Sequence, residues 1–279
     1  VEDGIAVVKF MRYLKENVGK EEMSEISLAD KLEAFRRESK NFLDLSFDTI
    51  CGYASNGAIV HYSATPETNK KVEKKGLLLV DSGAQYRYGT TDITRTFALG
   101  KLTKEEKRAF TLVLKSHIAL ASTVFPSGTP GARLDAIARE PLYENGMDFK
   151  HGTGHGVGYL LNVHEGPQNI SPRATTWKYA VYPDMVTSNE PGYYKEGAFG
   201  IRHENLVLSV EKGKTEYGTF CAFETLTLVP FDLDGIDAKL LTADEKAWLN
   251  DYHKTVFDKL HKSLHGKDLL FLAKATRAI

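Results

Sequence analysis

Only two cysteines, Cys51 and Cys221, occur in the 279 residues. That is too few for a disulfide framework and fits a reducing compartment, so a cytoplasmic location is expected. Long apolar runs are missing as well. None approaches the roughly 20 residues that cross a bilayer, and the first residues lack the charged-then-apolar layout of a secretory signal, so a soluble chain with no membrane partner is expected. Nor is there an excess of either charge. Lys and Arg number 36 against 37 Asp and Glu, so no overall field draws the chain to nucleic acid or an anionic membrane, and any partner must be recognised by a local site.

What is present is ordinary for a globular protein: 42% hydrophobic and 26% charged residues, enough apolar material for a core. The chain opens on Val1 rather than Met and runs straight into a helical pattern, so it is expected to be part of a longer product. Apolar residues at helical spacing predict a first helix from Val1 to about Asn17. Ser27 with Asp30 has the form of a capping box opening a second. Thr103 with Glu106 opens a third, running towards Phe125, and Thr242 with Glu245 opens the last long helix. A helix over Ala132 to Asn145 contains Pro141, which should kink or shorten it because proline removes a helix hydrogen bond. Strands are predicted at Gly76 to Asp81, Asp92 to Leu99, Ile201 to Val210 and Phe223 to Val229. These strands are not each followed by a helix, so an α+β arrangement around a mainly antiparallel sheet fits better than a doubly wound one.

Acidic residues in unusual places carry the chemistry. Leu77-Leu78-Leu79-Val80 leads an apolar strand directly into Asp81, and turn signals near Gly89 would fold the segment carrying Asp92 back beside it. Like charges set side by side in a sheet repel, so such a pair requires a cation or a shared proton. Alone, either Asp reads as a turn or capping residue. The run His151-Gly152-Thr153-Gly154-His155-Gly156-Val157-Gly158 is followed by His164. Its glycines allow close backbone approach, or else make a plain polar loop. A phosphate loop is set aside because Lys followed by Ser or Thr is absent where it is needed.

Glu190 stands before a Pro191-Gly192 turn, and strand alternation puts Arg202, Glu204 and Leu206 on one face. Singly, Glu190 reads as a surface residue and Glu204 as the ion-pair partner of Arg202. Together, Asp81, Asp92, His155, Glu190 and Glu204 supply four carboxylates and one imidazole, a set that neutralises two divalent cations and suits Mn²⁺, Co²⁺, Fe²⁺ or Zn²⁺ over a thiolate-seeking metal. Two such ions can share a hydroxide, polarise a carbonyl and promote hydrolysis.

These residues, in this order, resemble the pita-bread metallopeptidases, which include methionine aminopeptidase, prolidase, creatinase and aminopeptidase P. The longer, multidomain aminopeptidase P branch is the nearest match, through Asp44-Leu45-Ser46-Phe47, His61-Tyr62, Asp81-Ser82-Gly83-Ala84, Gly89-Thr90-Thr91-Asp92, the His151 to Gly158 run, His164-Glu165-Gly166-Pro167, Glu190-Pro191-Gly192-Tyr193-Tyr194 and Phe223-Glu224-Thr225. The likeness extends to about His253.

The resemblance implies an aminopeptidase that cleaves before a penultimate proline with a hydroxide shared by two divalent metals, most naturally Mn²⁺. By it, Asp81 binds one metal, His155 and Glu190 the other, and Asp92 and Glu204 bridge. Glu190 also takes a proton from water, His61, His151 and His164 surround the substrate, His164 passes a proton to the proline nitrogen, and Arg202 holds a bridging carboxylate. It implies one catalytic domain over 1–279, with a metal-bearing core at 1–230 and a C-terminal extension at 231–279, upstream domains elsewhere, and a homodimer. Two departures stand out: His203, where the family has an aliphatic residue and whose side chain should face away from the metals, and Pro141. Glu224 is left out of the ligand set. The rivals are a prolidase acting only on dipeptides and a metal-free binding module of the same fold.

Overall fold

The computed structural model describes residues 1–160, 162–173 and 177–279. Two helices, α1 (Glu2–Asn17) and α2 (Glu25–Arg36), lead into β1 (Phe42–Tyr53), β2 (Leu77–Tyr86), β3 (Gly89–Thr90) and β4 (Ile93–Ala98). Helix α3 (Lys104–Ala121), short strands β5 (Phe125–Pro126) and β6 (Thr129–Pro130), and α4 (Gly131–Tyr143) follow. Then come β7 (Gly154–Val157), β8 (His164–Ile170), β9 (Ala180–Val181), β10 (Val186–Asn189), β11 (Gly192–Lys195), β12 (Phe199–Arg202), β13 (Asn205–Thr215) and β14 (Gly218–Thr225), and finally α5 (Ala243–Leu260) and α6 (Gly266–Ala275).

A four-stranded sheet places β2 between β1 and the β3/β4 arm, and a six-stranded sheet runs β5-β14-β13-β10-β7-β8. Every pairing between these named strands is antiparallel. That agrees with the α+β expectation. Among the described residues no helix is long and apolar enough to cross a membrane.

Local sequence explains the helix ends. Thr103 with Glu106 and Thr242 with Glu245 form reciprocal capping boxes. The box on α2 is Ser24 with Ser27, three residues ahead of the expected pair, because the Ser24 hydroxyl accepts the Ser27 amide. Pro141 is tolerated inside α4, which ends two residues later at Tyr143. In that last turn the Pro141 carbonyl accepts from the Asn145 side chain at 2.8 Å. The α1–α2 pair is fixed to β2 through Asp3, which accepts from Arg36 Nε at 2.8 Å and from the Tyr86 hydroxyl at 2.9 Å.

Three strand expectations need correction. β2 continues past Asp81 to Tyr86, so Asp81 lies mid-strand and buried. The segment expected as one strand from Ile201 to Val210 breaks at His203-Glu204: β12 pairs with β11, β13 pairs with β10 and β14, and the Glu204 amide donates to Thr94 O at 3.1 Å. Alternation therefore fails across the break. Leu206 lines a different cavity from the one lined by Arg202 and Glu204. The strand expected to reach Val229 ends at Thr225.

One apolar core joins Val8, Leu77, Phe110, Phe199 and Phe231 to Leu249, Val256, Leu260 and Leu272, so the last two helices share the core of the preceding chain. Polar groups inside it are specifically placed. His253 is fully buried, and its Nε2 accepts the Phe231 amide at 3.0 Å. Burial, with the nearby Arg95 charge, lowers it to about 3. A histidine depressed in the folded state contributes stability present above its unfolded value near 6.5 and lost as pH falls. A His253→Gln variant keeps an acceptor for Phe231 but cannot titrate. Between pH 7 and pH 5, the native chain is expected to lose about 2 kcal/mol more stability than this variant. Urea unfolding at the two pH values measures the difference, and parallel losses would refute it.

Candidate metal centre

The paired strands bring two carboxylates together. Asp81 lies opposite Thr94, Ser82 opposite Ile93, and Asp92 immediately precedes β4. Carboxylate oxygens of Asp81, Asp92 and Glu204 lie within 4.8 Å of one another, and so do ligand atoms of His155, Glu190 and Glu204. Asp92 belongs to the first group and is linked to the second by His155, whose Nε2 is 3.3 Å from both Asp92 and Glu190. All five expected ligands and all five expected catalytic residues, Glu190 being in both sets, line one cavity of about 410 Å³. A second cavity of about 590 Å³ shares only Asp92 with these groups and is otherwise floored by residues such as Val186, Leu206 and Leu228. The larger cavity is therefore not where the acid groups converge.

Each donor is oriented by a neighbour. The His155 Nδ1–H donates to Gly156 O at 2.9 Å, which turns Nε2 towards the carboxylates. Ser188 donates to Glu190 at 3.0 Å while accepting the His155 amide at 2.9 Å. The close packing of β7 on β10 depends on Gly154, where a Cβ would fall 1.8 Å from Ser188 O. The glycine-rich run thus serves close backbone approach rather than forming a plain loop.

Arg202 pairs with Asp81 at 2.6 Å, not with Glu204. Its Nε donates to Thr94 Oγ1 at 3.1 Å, and that hydroxyl donates onward to Glu204 at 2.7 Å. Arg202 therefore reaches one carboxylate directly and a second through Thr94. Its Nη1 also donates to the Tyr194 hydroxyl at 2.7 Å, which in turn donates to His151 Nε2 at 2.8 Å, while His151 Nδ1–H donates to Gly152 O at 2.7 Å. Both nitrogens of His151 are thus engaged, so it walls the cavity and has no nitrogen left to offer a substrate. His61 and His164 are exposed at the cavity, and the His164 ring lies 4.1 Å from that of His155. A His164 nitrogen falls within the same 4.8 Å span as Asp92 and His155, a proximity the ligand pattern did not anticipate.

Sequence reasoning missed the parts played by Tyr194, Thr94 and Ser188. No local signal marked Tyr194; the absence of a side chain at Gly192, whose Cβ would meet the Tyr194 hydroxyl at 2.5 Å, makes room for it only in the folded chain. His203 points into the core, edge-on to Phe110 at 4.3 Å, and lines no part of the site cavity.

The electrostatics test whether the donors fit a metal pair. Burial, with mutual repulsion, raises Asp92, Glu190 and Glu204 above the ordinary carboxylate range, Glu190 to about 7. Burial opposes charging of His155, but its hydrogen bond to Asp92 and the Glu190 charge prevail and lift it to about 9. The cluster therefore borrows a proton on an imidazole to balance its acids. Asp81 Oδ1 is buried with no hydrogen-bond partner among the described residues, a costly state for a polar atom with nothing to bind. Oxygen-rich donors, one freed imidazole nitrogen and an orphaned carboxylate oxygen fit two divalent cations.

The chain belongs to metallopeptidase family M24: residues 3–211 match that family and residues 219–279 match the C-terminal region of peptidase_M24. Its fold is accordingly the pita-bread fold, a curled antiparallel half-barrel sheet with helices. It is 46% identical over 274 residues to a probable Xaa-Pro aminopeptidase P of Sclerotinia sclerotiorum, covering 96% of this chain and 46% of the relative. It is 48% identical over 269 residues to aminopeptidase P2 of Arabidopsis thaliana, covering 95% of this chain and 38% of the relative. An X-prolyl aminopeptidase from Caenorhabditis elegans, described as a cytosolic enzyme with a di-nuclear active site, superposes with a TM-score of 0.93 at 39% identity, over 100% of this chain and 46% of that one. The chain spans less than half the length of these relatives.

Proposed function

We propose that this chain is the catalytic part of a dinuclear metalloaminopeptidase that removes an N-terminal residue standing before proline. The observation that carries the reading is the convergence of Asp81, Asp92, His155, Glu190 and Glu204 on one cavity, where burial and mutual repulsion raise Asp92, Glu190 and Glu204 together. These five residues would hold the two metals, Glu204 being common to both groups of close ligand atoms. The bound pair would supply Lewis acidity for the scissile carbonyl and acidify a water at neutral pH. Glu190 accepts the proton of the attacking water. Arg202, through Asp81 and Thr94, keeps two carboxylates aimed, as outer partners of metal ligands do.

A prolyl nitrogen is a tertiary amide with no N–H, so the departing proline must receive a proton. His164, exposed at the cavity, would deliver it, and His61 and His151, which line the same cavity, would bound the peptide's path.

The oxygen-rich donor set favours Mn²⁺, with Co²⁺, Zn²⁺ and Fe²⁺ as alternatives. The two cysteines are free and buried, which suits a cytoplasmic location. The shared core of α5 and α6 supports a single catalytic domain over 1–279, and the resemblance supports a homodimer.

Hydrolysis of a tripeptide with proline second is the expected outcome after reconstitution with Mn²⁺, with the first residue released. Cleavage of the Xaa-Pro dipeptide alone would turn the reading to a prolidase. No cleavage of either peptide by metal-loaded protein would favour a binding module.

A further inference from the structure

Behind the candidate metal centre, on α3, lies a histidine that none of the site's chemistry uses. His117 is fully buried. Its Nδ1 lies 3.1 Å from Asn189 O and 3.3 Å from His203 O, and these two carbonyls belong to the residues immediately preceding Glu190 and Glu204. Its Nε2 lies 3.2 Å from the Asn205 amide nitrogen, in the residue following Glu204. One imidazole thus touches both chain segments that carry the glutamate ligands.

The protonation of this ring follows from its neighbours. Arg95 has donors only, and its Nη2 donates to Asn205 Oδ1 at 2.7 Å. The Asn205 amide is therefore fixed with its NH₂ towards His117, so His117 Nε2 must accept and Nδ1 must carry the hydrogen. That single N–H is shared between the two carbonyls. A return bond from the Asn189 side-chain amide to His117 O, at 2.9 Å, closes the link to α3. Arg95 completes the support by donating to Glu204 O at 2.5 Å.

We infer that His117 is a positioning residue for the metal centre, a clasp whose Nδ1–H sets the spacing between the Glu190 and Glu204 segments. The inference rests on the reading of those two glutamates as metal ligands. Side chains two bonds beyond a ligand's own backbone matter because a carboxylate displaced by a fraction of an ångström loses bonding geometry, and outer partners of metal ligands typically change affinity 10–100-fold.

The test compares three variants by calorimetric titration of Mn²⁺ into metal-free protein, with circular dichroism confirming the fold. Asn carries an amide nitrogen near the place of Nδ1, whereas Gln carries one near Nε2, and Phe fills the space with no donor at all. His117→Phe and His117→Gln are expected to weaken Mn²⁺ binding by roughly 10-fold or more, while His117→Asn restores it to within about threefold of the native chain. Native-like affinity in a folded His117→Phe would overturn the inference. If His117→Phe does not fold, the Asn and Gln variants decide: Gln binding as tightly as Asn would show that bulk, not the donor, is what matters. A native chain that takes up no Mn²⁺ would instead overturn the reading of the ligands themselves.

Discussion

Replacing Glu204 by Gln is expected to lower kcat/KM for a proline-second peptide by roughly 1000-fold or more, about 4 kcal/mol of transition-state stabilisation. The reason is charge. In the proposed centre four carboxylates balance two divalent cations, and an amide at Glu204 would leave one positive charge uncompensated in a largely buried site. The fold should not suffer. Burial and the neighbouring carboxylates already raise Glu204 above the ordinary carboxylate range, so a neutral side chain is not disfavoured there, and the amide oxygen can still accept the Thr94 hydroxyl that now reaches Glu204 Oε2 at 2.7 Å. The metal-free variant is therefore expected to melt no earlier than the metal-free parent. Metal content, melting and steady-state rates measure the three parts, and a variant that retains two metals and activity within tenfold of the parent would remove Glu204 from the centre.

Stripping the metals is expected to cost roughly 10 °C in Tm at pH 7, because ligand at about 1000 times its Kd adds about 4 kcal/mol to a domain of this size. The gap should widen with pH, and the signs of both titrations agree. Glu190 is raised to about 7 in the folded chain, so its ionisation opposes folding progressively from pH 4.5 upwards, as the unfolded chain gives up the proton first. His155 is raised to about 9. Its contribution is fully present below pH 6.5 and is lost as pH rises from there through about 9. Both make the metal-free chain weaker at high pH, while metal binding, which displaces protons, grows stronger. Melting curves with and without chelator at pH 6 and pH 8 give the comparison, and a gap that narrows at pH 8 would contradict it.

How much of this was legible depended on the range of the interactions. Thr103 with Glu106 and Thr242 with Glu245 act over three residues, so their capping boxes could be read directly and formed as expected. The Asp81 and Asp92 neighbourhood followed from one hairpin. The break at His203-Glu204 did not, since it is imposed by Thr94, 110 residues away along the chain, and nothing in the local pattern of Ile201 to Val210 reports it. The segment that forms β1 carries the Asp44-Leu45-Ser46-Phe47 motif but no legible strand pattern. Its pairing with β2 shifts register three times between Phe42 and Ile50, which erases the two-residue period. Helix α6 also went unpredicted. The Tyr194 bridge between Arg202 and His151 joins three segments, and only their assembly reveals it.

The division of the proposed ligands between the two sheets has a consequence for how the chain would hold metals. Asp81 and Asp92 come from the β2/β4 arm, His155 and Glu190 from around β7 and β10, and Glu204 from the junction before β13. Neither sheet alone owns enough donors to retain a pair of ions against bulk water. On that reading, holding both ions requires the two sheets to have come together.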